Sequence, residues 1–325
     1  IKAWVGGINH EHYKYDHVLA RRQAGSVFKP LVYLEALEQQ IDPCEYYPND
    51  SVVYQEYEDW TPRNADRSYG GFYTMKGALT HSVNTVSVEL MMQVGIDSVL
   101  DLCQKAGIRS PLPAVPSLAL GTGDVSLYEM VGAYQAIANK GVALEPRYLK
   151  RIEDRTGQVL AEFGPATKGS SICSPENAEV MIEMLRGVVN RGTAAGLRSR
   201  YGMTADIAGK TGTTQNYTDG WFIGFTPGLV AGAWVGGDLQ NVRFRSIEYG
   251  QGAYAAMPIW AGFMKNTFKD EYWSMLGKDT FQISTSTREL LLCDDFTDKK
   301  PRQFRPIKKL KEKKIFKRLF RRKEK

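Results

Sequence analysis

The 325-residue chain carries 43% hydrophobic and 24% charged residues, an ordinary globular composition with enough apolar content for a sizeable core. Its net charge of +6 is uneven, because residues 299–325 hold 15 Lys and Arg against two Glu, a net +13, which leaves −7 for residues 1–298. A nucleic-acid reading would need a basic face on the folded part, and no apolar run is long enough to cross a bilayer or to serve as a signal peptide.

The opening "IKAWVGG" reads as a short strand closing in a glycine turn, and with no Met before it the natural N-terminus is expected to lie upstream. In "NHEHY", His10 and His12 stand two apart, as a metal pair or as two exposed strand histidines, and no third ligand nearby favours the metal. "SVFKPLVYLEALEQQ" has apolar residues at helical spacing, which predicts a helix with Ser26 at or near its N-cap and Pro30 in its first turns. Residues 43–71, rich in Tyr, Asp, Asn and Pro, predict an irregular segment. "TMKGALTHSVNTVSVELMMQVG" then predicts two helices around the polar "HSVN" break, the second closed by Gly95. Three further helices follow in "IDSVLDLCQKAGI", in "VSLYEMVGAYQAIANKG" with Gly141 as C-cap, and in "SPENAEVMIEMLRGVVNRGT".

Beyond residue 200 the pattern changes. "DIAGKTGTT", "DGWFIGFTP" and "GLVAGAWVGG" are strand-like, with "QNYT" between the first two and Pro227-Gly228 between the last two, the signature of an antiparallel meander. "MPIWAGFMKNTF" predicts a last helix packed on that sheet. The order of elements is that of an α+β protein. Residues 1–278 read as one domain and residues 279–325 as a basic, disordered tail. Ile315, Phe316, Leu319 and Phe320 could line one side of a short helix there, and the Lys299–Lys325 cations could bind an anionic polymer or membrane surface at ~1 kcal/mol each. Cys44, Cys103, Cys173 and Cys293 lie far apart without a C-x-x-C pair, which leaves isolated thiols or at most a disulfide.

The chemistry-bearing residues fall in three segments. Ser26-x-x-Lys29 in "AGSVFKP" puts a hydroxyl and an amine one helical turn apart, though roughly one such match is expected by chance in a chain of this size. "HSVNT" supplies Ser82 and Asn84, and "GKTGTT" supplies Lys210, Thr211, Gly212 and Thr213. In this order the three mark penicillin-recognising serine acyl enzymes. A Ser hydroxyl becomes nucleophilic when a neutral Lys takes its proton, and desolvation with a second cation nearby keeps a Lys neutral. Lys29 and Lys210 suit those two parts. Ser82 can bridge the Ser–Lys pair and pass a proton to a leaving amine, and Asn84 can bond a substrate amide. The two-residue repeat puts Thr211 and Thr213 on one face for a substrate carboxylate and sends Lys210 to the other, so strand twist is expected to bring Lys210 round. Gly212 leaves room for a substrate backbone. The N–H groups of Ser26 and Thr213 are the natural oxyanion pair.

With "RRQAGSVFKPLVYLEALE", "GFYTMKGALTHSVNTVSVEL", "ALGTGDVSLYEMVGAYQAIANKG", "RGTAAGL" and "AGKTGTTQNYTDGWFIGFTP", the chain resembles, over about residues 1–270, the transpeptidase domain of class A penicillin-binding proteins. The resemblance implies a helical subdomain packed on a mainly antiparallel sheet with the active site between them. It implies that Ser26 attacks the penultimate D-Ala carbonyl of a peptidoglycan stem peptide, expels the terminal D-Ala and passes the acyl group to a neighbouring amine, and that β-lactams acylate the same Ser. No metal or organic cofactor is required. Family members carry an N-terminal membrane helix and a glycosyltransferase domain that are not in this sequence. The implied location is the cell envelope, on the outer face of the plasma membrane, with an outer strand and helix of the sheet missing.

Four rival readings stand beside this one. A class A β-lactamase would carry a Glu beginning E-x-x-x-N between the second and third motifs, and no Glu from residue 85 to 209 has Asn four places on. Class D enzymes usually have a hydrophobic residue where Asn84 stands. A D-Ala carboxypeptidase differs only in accepting water, and a penicillin sensor would acylate without turnover. Asp219 and Trp221 fit the family's strand signature, as packing more than as cleft edge, and His81 reads as a supporting or surface group beside Ser82.

Overall fold

The computed structural model describes residues 1–8, 11, 14–164, 169–214, 217–239 and 242–302. His10, His12 and the tail from residue 303, with the apolar positions expected to line a helix there, lie outside the described residues. Helix α1 (Lys29–Glu38) is preceded by a 3₁₀ turn, Gly25–Phe28. Next come β1 (Tyr46–Pro48), β2 (Phe72–Thr74), α2 (Met75–His81), α3 (Asn84–Val94) and α4 (Ile96–Lys105). Helices α5 (Leu127–Ala138) and α6 (Pro175–Asn190) complete the helical part. The Ser126–Glu129 capping box starts α5, and Ser174 caps α6 ahead of Pro175, so local sequence sets both starts.

The strands β3 (Ala208–Thr213), β4 (Asp219–Thr226) and β5 (Leu229–Gly236) form an antiparallel sheet in the order β5-β4-β3. Helix α7 (Ala256–Lys269) covers one face through Trp260, whose ring meets Phe222 at 5.1 Å and whose Nε1 donates to Ala231 O. The opposite face meets α5, where Tyr134 stands edge-on to Phe225 and donates its hydroxyl proton to Val27 O in the 3₁₀ turn. Helices and sheet share one core, and α1 is buried along almost its whole length within it. The helical layer on an antiparallel sheet expected from the sequence is thus the architecture found.

Three expectations change, and one left open is decided. Residues 1–7 form no strand: Gly6 O accepts from the N and Nδ1 of His17, and Trp4 Nε1 donates to Asp16, so the segment folds against residues 15–19 instead of joining a ladder. Ser26 caps no helix, because it lies inside the 3₁₀ turn that leads into α1. The fold also does not end at residue 278. Helix α8 (Thr285–Leu290), capped by Ser284, and β6 (Phe296–Thr297), paired with β2, carry it on. Remote partners hold these short pieces, so they show no periodicity of their own. Lastly, Cys44 and Cys293 form a disulfide, while Cys103 and Cys173 are free and buried.

That disulfide closes a loop across 249 positions, and the unfolded chain loses much conformational freedom with it. The paired replacement Cys44→Ser with Cys293→Ser is expected to lower the unfolding free energy by about 2–4 kcal/mol, measured by urea denaturation of the oxidised wild type against the variant.

Candidate active site

The site forms where the 3₁₀ turn, the α2–α3 connection and the open edge of β3 meet. Ser82 ends α2 with a left-handed backbone, φ +59°, which turns the chain sharply before α3. Its hydroxyl lies between two amines, 3.1 Å from Lys29 Nζ and 2.9 Å from Lys210 Nζ. Lys29 Nζ also donates to Ser82 O at 2.6 Å and to Asn84 Oδ1 at 2.7 Å. Lys29, Ser82, Asn84 and Lys210 are therefore brought into one hydrogen-bonded cluster.

Both lysines are fully buried. Desolvation, and after it the charge of Lys210, drives the Lys29 pKa well below the ordinary lysine value. Desolvation brings Lys210 down to about 7. Two ammonium groups with one hydroxyl between them cannot both stay charged cheaply away from water, so near neutral pH a neutral amine is available.

Ser26 sits half-buried at the second position of the 3₁₀ turn, three residues before Lys29, and its hydroxyl makes no hydrogen bond among the described residues. Gly25 before it has φ +56°, and a Cβ there would stand 2.7 Å from Thr213 O and 3.1 Å from Thr213 N. Gly121, φ +73°, backs it, since a Cβ there would fall 2.0 Å from Gly25 O. Only glycine allows three backbones to approach this closely, and the approach seats the start of the 3₁₀ turn against Thr213. Because Thr214 N bonds Asp219 O in β4, ladder alternation turns the Thr213 N–H outward at the free edge of β3. The turn that carries Ser26 therefore lies against the stretch of β3 whose Thr213 N–H faces outward.

Lys210 does not need strand twist to reach Ser82. It shares a face of β3 with Gly212, where a Cβ would meet Ala24 and Val27, so the helical layer lies on its own side. Thr211 and Thr213 project from the opposite face, as alternation requires. Their hydroxyls have separate partners: Thr211 meets Thr193 Oγ1 at 2.7 Å, and Thr213 accepts from Gly252 N at 3.1 Å. Asp219 is buried and accepts from Arg22, Thr218 and Trp234, while Trp221 donates to Gln23 O, so both pack and neither borders the site. His81 is partly exposed, 3.7 Å from Asp295. Among the described residues no group of acidic, His and Cys side chains could hold a metal.

Sequence reasoning missed Asn49 and Asn64, which lie in the segment predicted to be irregular. Val83 gives α3 no side-chain cap, and Asn64 Oδ1 supplies one from 20 positions away, accepting from Asn84 N at 2.9 Å and Thr85 N at 3.3 Å. Asn64 Nδ2 bonds Asn49 Oδ1, which also accepts from Thr85 Oγ1. Asn84 Nδ2 donates to Arg63 O, so the Asn84 amide is held at both ends, and only its second N–H proton is left for a ligand. A local capping pattern could not reveal a cap contributed from so far away. Replacing Asn64 by Ala strands buried N–H groups at the start of α3, and the expected loss is about 1–3 kcal/mol, read from thermal or urea unfolding.

The comparisons with known proteins agree with this geometry. Residues 7–236 match the family model for the penicillin-binding protein transpeptidase domain. Penicillin-binding protein 1A of Aquifex aeolicus is 35% identical over 311 residues, covering 94% of this chain and 42% of that protein. Its counterpart in Neisseria gonorrhoeae is 35% identical over 285 residues, covering 83% of this chain and 34% of its own length. The chain therefore spans about two fifths or less of these relatives. Among solved structures, penicillin-binding protein 1A from Haemophilus influenzae superposes with a TM-score of 0.78 at 25% identity, covering 86% of this chain and 46% of that one. PonA1 of Mycobacterium tuberculosis in complex with penicillin V gives 0.72 at 23% identity over 86% of this chain and 75% of its own, a likeness of fold. A match over this much of the sequence, with the three motifs gathered at one strand edge, makes the chain a member of the penicillin-binding protein transpeptidase family.

Proposed function

We propose that this chain is the D,D-transpeptidase part of a peptidoglycan-building enzyme and works through an acyl-enzyme on Ser26. The observation that carries the reading is the Ser82 hydroxyl held 3.1 and 2.9 Å from two buried amines. Neutral Lys29, one turn from Ser26, takes the proton as Ser26 Oγ bonds to the penultimate D-Ala carbonyl carbon. The oxyanion that develops would meet the N–H groups of Ser26 and Thr213. Ser82 passes a proton to the departing amine, the C–N bond breaks, and the terminal D-Ala leaves. Lys210 supplies positive charge at the strand edge, where the Thr211 and Thr213 hydroxyls would hold the substrate carboxylate. An amine of a neighbouring stem then takes the acyl group. A β-lactam entering the same site would acylate Ser26 and remain.

The open edge of β3 supports an extended peptide ligand, because its unpaired N–H and C=O groups can add one more strand to the sheet. The outer face of the plasma membrane is the proposed location. A disulfide that closes most of the chain fits an oxidising compartment, and no helix among the described residues is long and apolar enough to cross a membrane, so any anchor would come from elsewhere in the protein.

Ser26→Ala is expected to abolish both covalent labelling by fluorescent penicillin and D-Ala release from a D-Ala-D-Ala stem peptide. Labelling that survives this change rejects Ser26 as the nucleophile. Labelling without D-Ala release rejects the enzyme reading in favour of a sensor, and release without cross-linked product in the presence of an amine acceptor means a carboxypeptidase. Lys29→Ala should slow acylation about 10²–10⁴-fold. Since the base must be neutral, the acylation rate should rise with pH as Lys29 loses its proton, with a midpoint well below the ordinary lysine value. A midpoint near 10 would exclude Lys29 as the base.

A further inference from the structure

Asp295 lies beyond the span matched by the family model, on the segment between α8 and β6. Its carboxylate meets three basic side chains. Arg191 grips it with two bonds, Nε to Oδ2 at 2.8 Å and Nη2 to Oδ1 at 3.0 Å. Lys76 Nζ is 3.4 Å from Oδ1, and His81 Nε2 is 3.7 Å from Oδ2. The backbone around it is fixed as well: Thr74 N donates to Asp295 O, Thr74 Oγ1 to Asp294 O, and Lys76 Nζ to Leu291 O. Gly77 lets the strap lie against α2, since a Cβ there would fall 2.0 Å from Asp295 O. The Cys44–Cys293 disulfide anchors the strap two residues before Asp295.

Two of these partners lead straight into the site. His81 immediately precedes Ser82. Arg191 ends α6 and precedes Gly192 and Thr193; Thr193 N donates to Thr80 O at 3.3 Å, and its hydroxyl meets Thr211 at 2.7 Å. One carboxylate thus joins the end of α2, which aims Ser82 at the two lysines, to the end of α6, which holds the Thr211 side of β3.

We propose that Asp295 is a positioning residue for acylation, clamping the α2 and α6 ends together through His81 and Arg191 so that Ser82 stays between Lys29 and Lys210. Burial alone would push the Asp295 carboxyl upward, but the polar contact with His81, the two hydrogen bonds from Arg191 and the charges of Arg191 and Lys76 hold it well below the usual carboxylate range, so the carboxylate stays charged. The inference rests on the acyl-enzyme reading. It adds that a segment outside the family span sets the rate of that step.

The test measures fluorescent-penicillin acylation of the whole chain, separating initial binding from the first-order acylation constant, alongside thermal unfolding and titration of reactive sites. Asp295→Asn and Arg191→Gln should each lower the acylation constant at least 10-fold with initial binding unchanged. The double variant should be no slower than either single one, because both remove the same clamp. Asp295→Glu should recover part of the rate. Arg191 is half exposed, so Arg191→Gln decides the matter should Asp295→Asn fail to fold. Wild-type acylation constants in the variants overturn the inference. So does a loss that appears only as fewer reactive sites, each reacting at the wild-type rate, which would mark a role in folding alone. A wild-type chain that takes no label would overturn the acyl-enzyme reading itself, and this inference with it.

Discussion

The site is organised by the burial of two lysines around one hydroxyl. An ammonium group taken from water is costly unless it is paired, and among the described residues no carboxylate is a hydrogen-bond partner of Lys29 or Lys210. The protein supplies neutral acceptors instead: Ser82 O, Ser82 Oγ, Asn84 Oδ1 and Thr211 O. These satisfy N–H donors without stabilising positive charge as a carboxylate would, so protonation stays costly. A carboxylate in their place would hold Lys29 charged and remove the proposed base. The absence of acidic partners from this cluster is therefore as much a part of the chemistry as the presence of the amines.

That arrangement demands accuracy from three elements far apart in sequence. The 3₁₀ turn brings Lys29, the α2–α3 connection brings Ser82 and Asn84, and the edge strand brings Lys210. Each is fixed by contacts that involve its backbone. Gly25 and Gly121 press the turn against Thr213, the left-handed Ser82 turns the chain between two helices, and Asn64 caps α3 from outside the helix. A residue with positive φ and a side chain, such as Ser82, costs on the order of 1–3 kcal/mol, and its neighbours must hold it there. Leu79 O and the Lys29 amine, which bond its N–H and its C=O, are those neighbours.

Much of this was legible in the sequence because the relevant signals are local. Apolar periodicity marked α1 and α3–α7, Pro227-Gly228 marked the tight turn between β4 and β5, and the three motifs named every member of the lysine–hydroxyl cluster. What escaped is non-local. The cap on α3 comes from Asn64, the disulfide partners are 249 positions apart, and the strap after residue 278 is held by Arg191, Lys76 and Thr74 rather than by any pattern of its own. Lys210 shows the opposite error, where a correct local rule was applied to the wrong neighbour. Alternation does separate it from the threonines, but the helical layer lies on its side of the sheet.

The strap also explains how the helical part stays in register with a sheet that contributes only one edge to the site. Among the described residues β3 has a sheet partner on one side only, so its free edge has no ladder there to fix it against the α2–α3 connection. Packing of α6 on β3 and the Thr193–Thr211 contact supply that restraint, but α6 must itself be tied to α2. Gly192 and Thr193 do this through Thr80 O, and Asp295 does it through charge one turn away. Because Arg191 and Asp295 face each other with two parallel bonds, the pair resists rotation as well as separation, which a single lysine contact would not. A strap crossing both helix ends is the geometry needed to hold a catalytic edge open to ligand yet fixed in position.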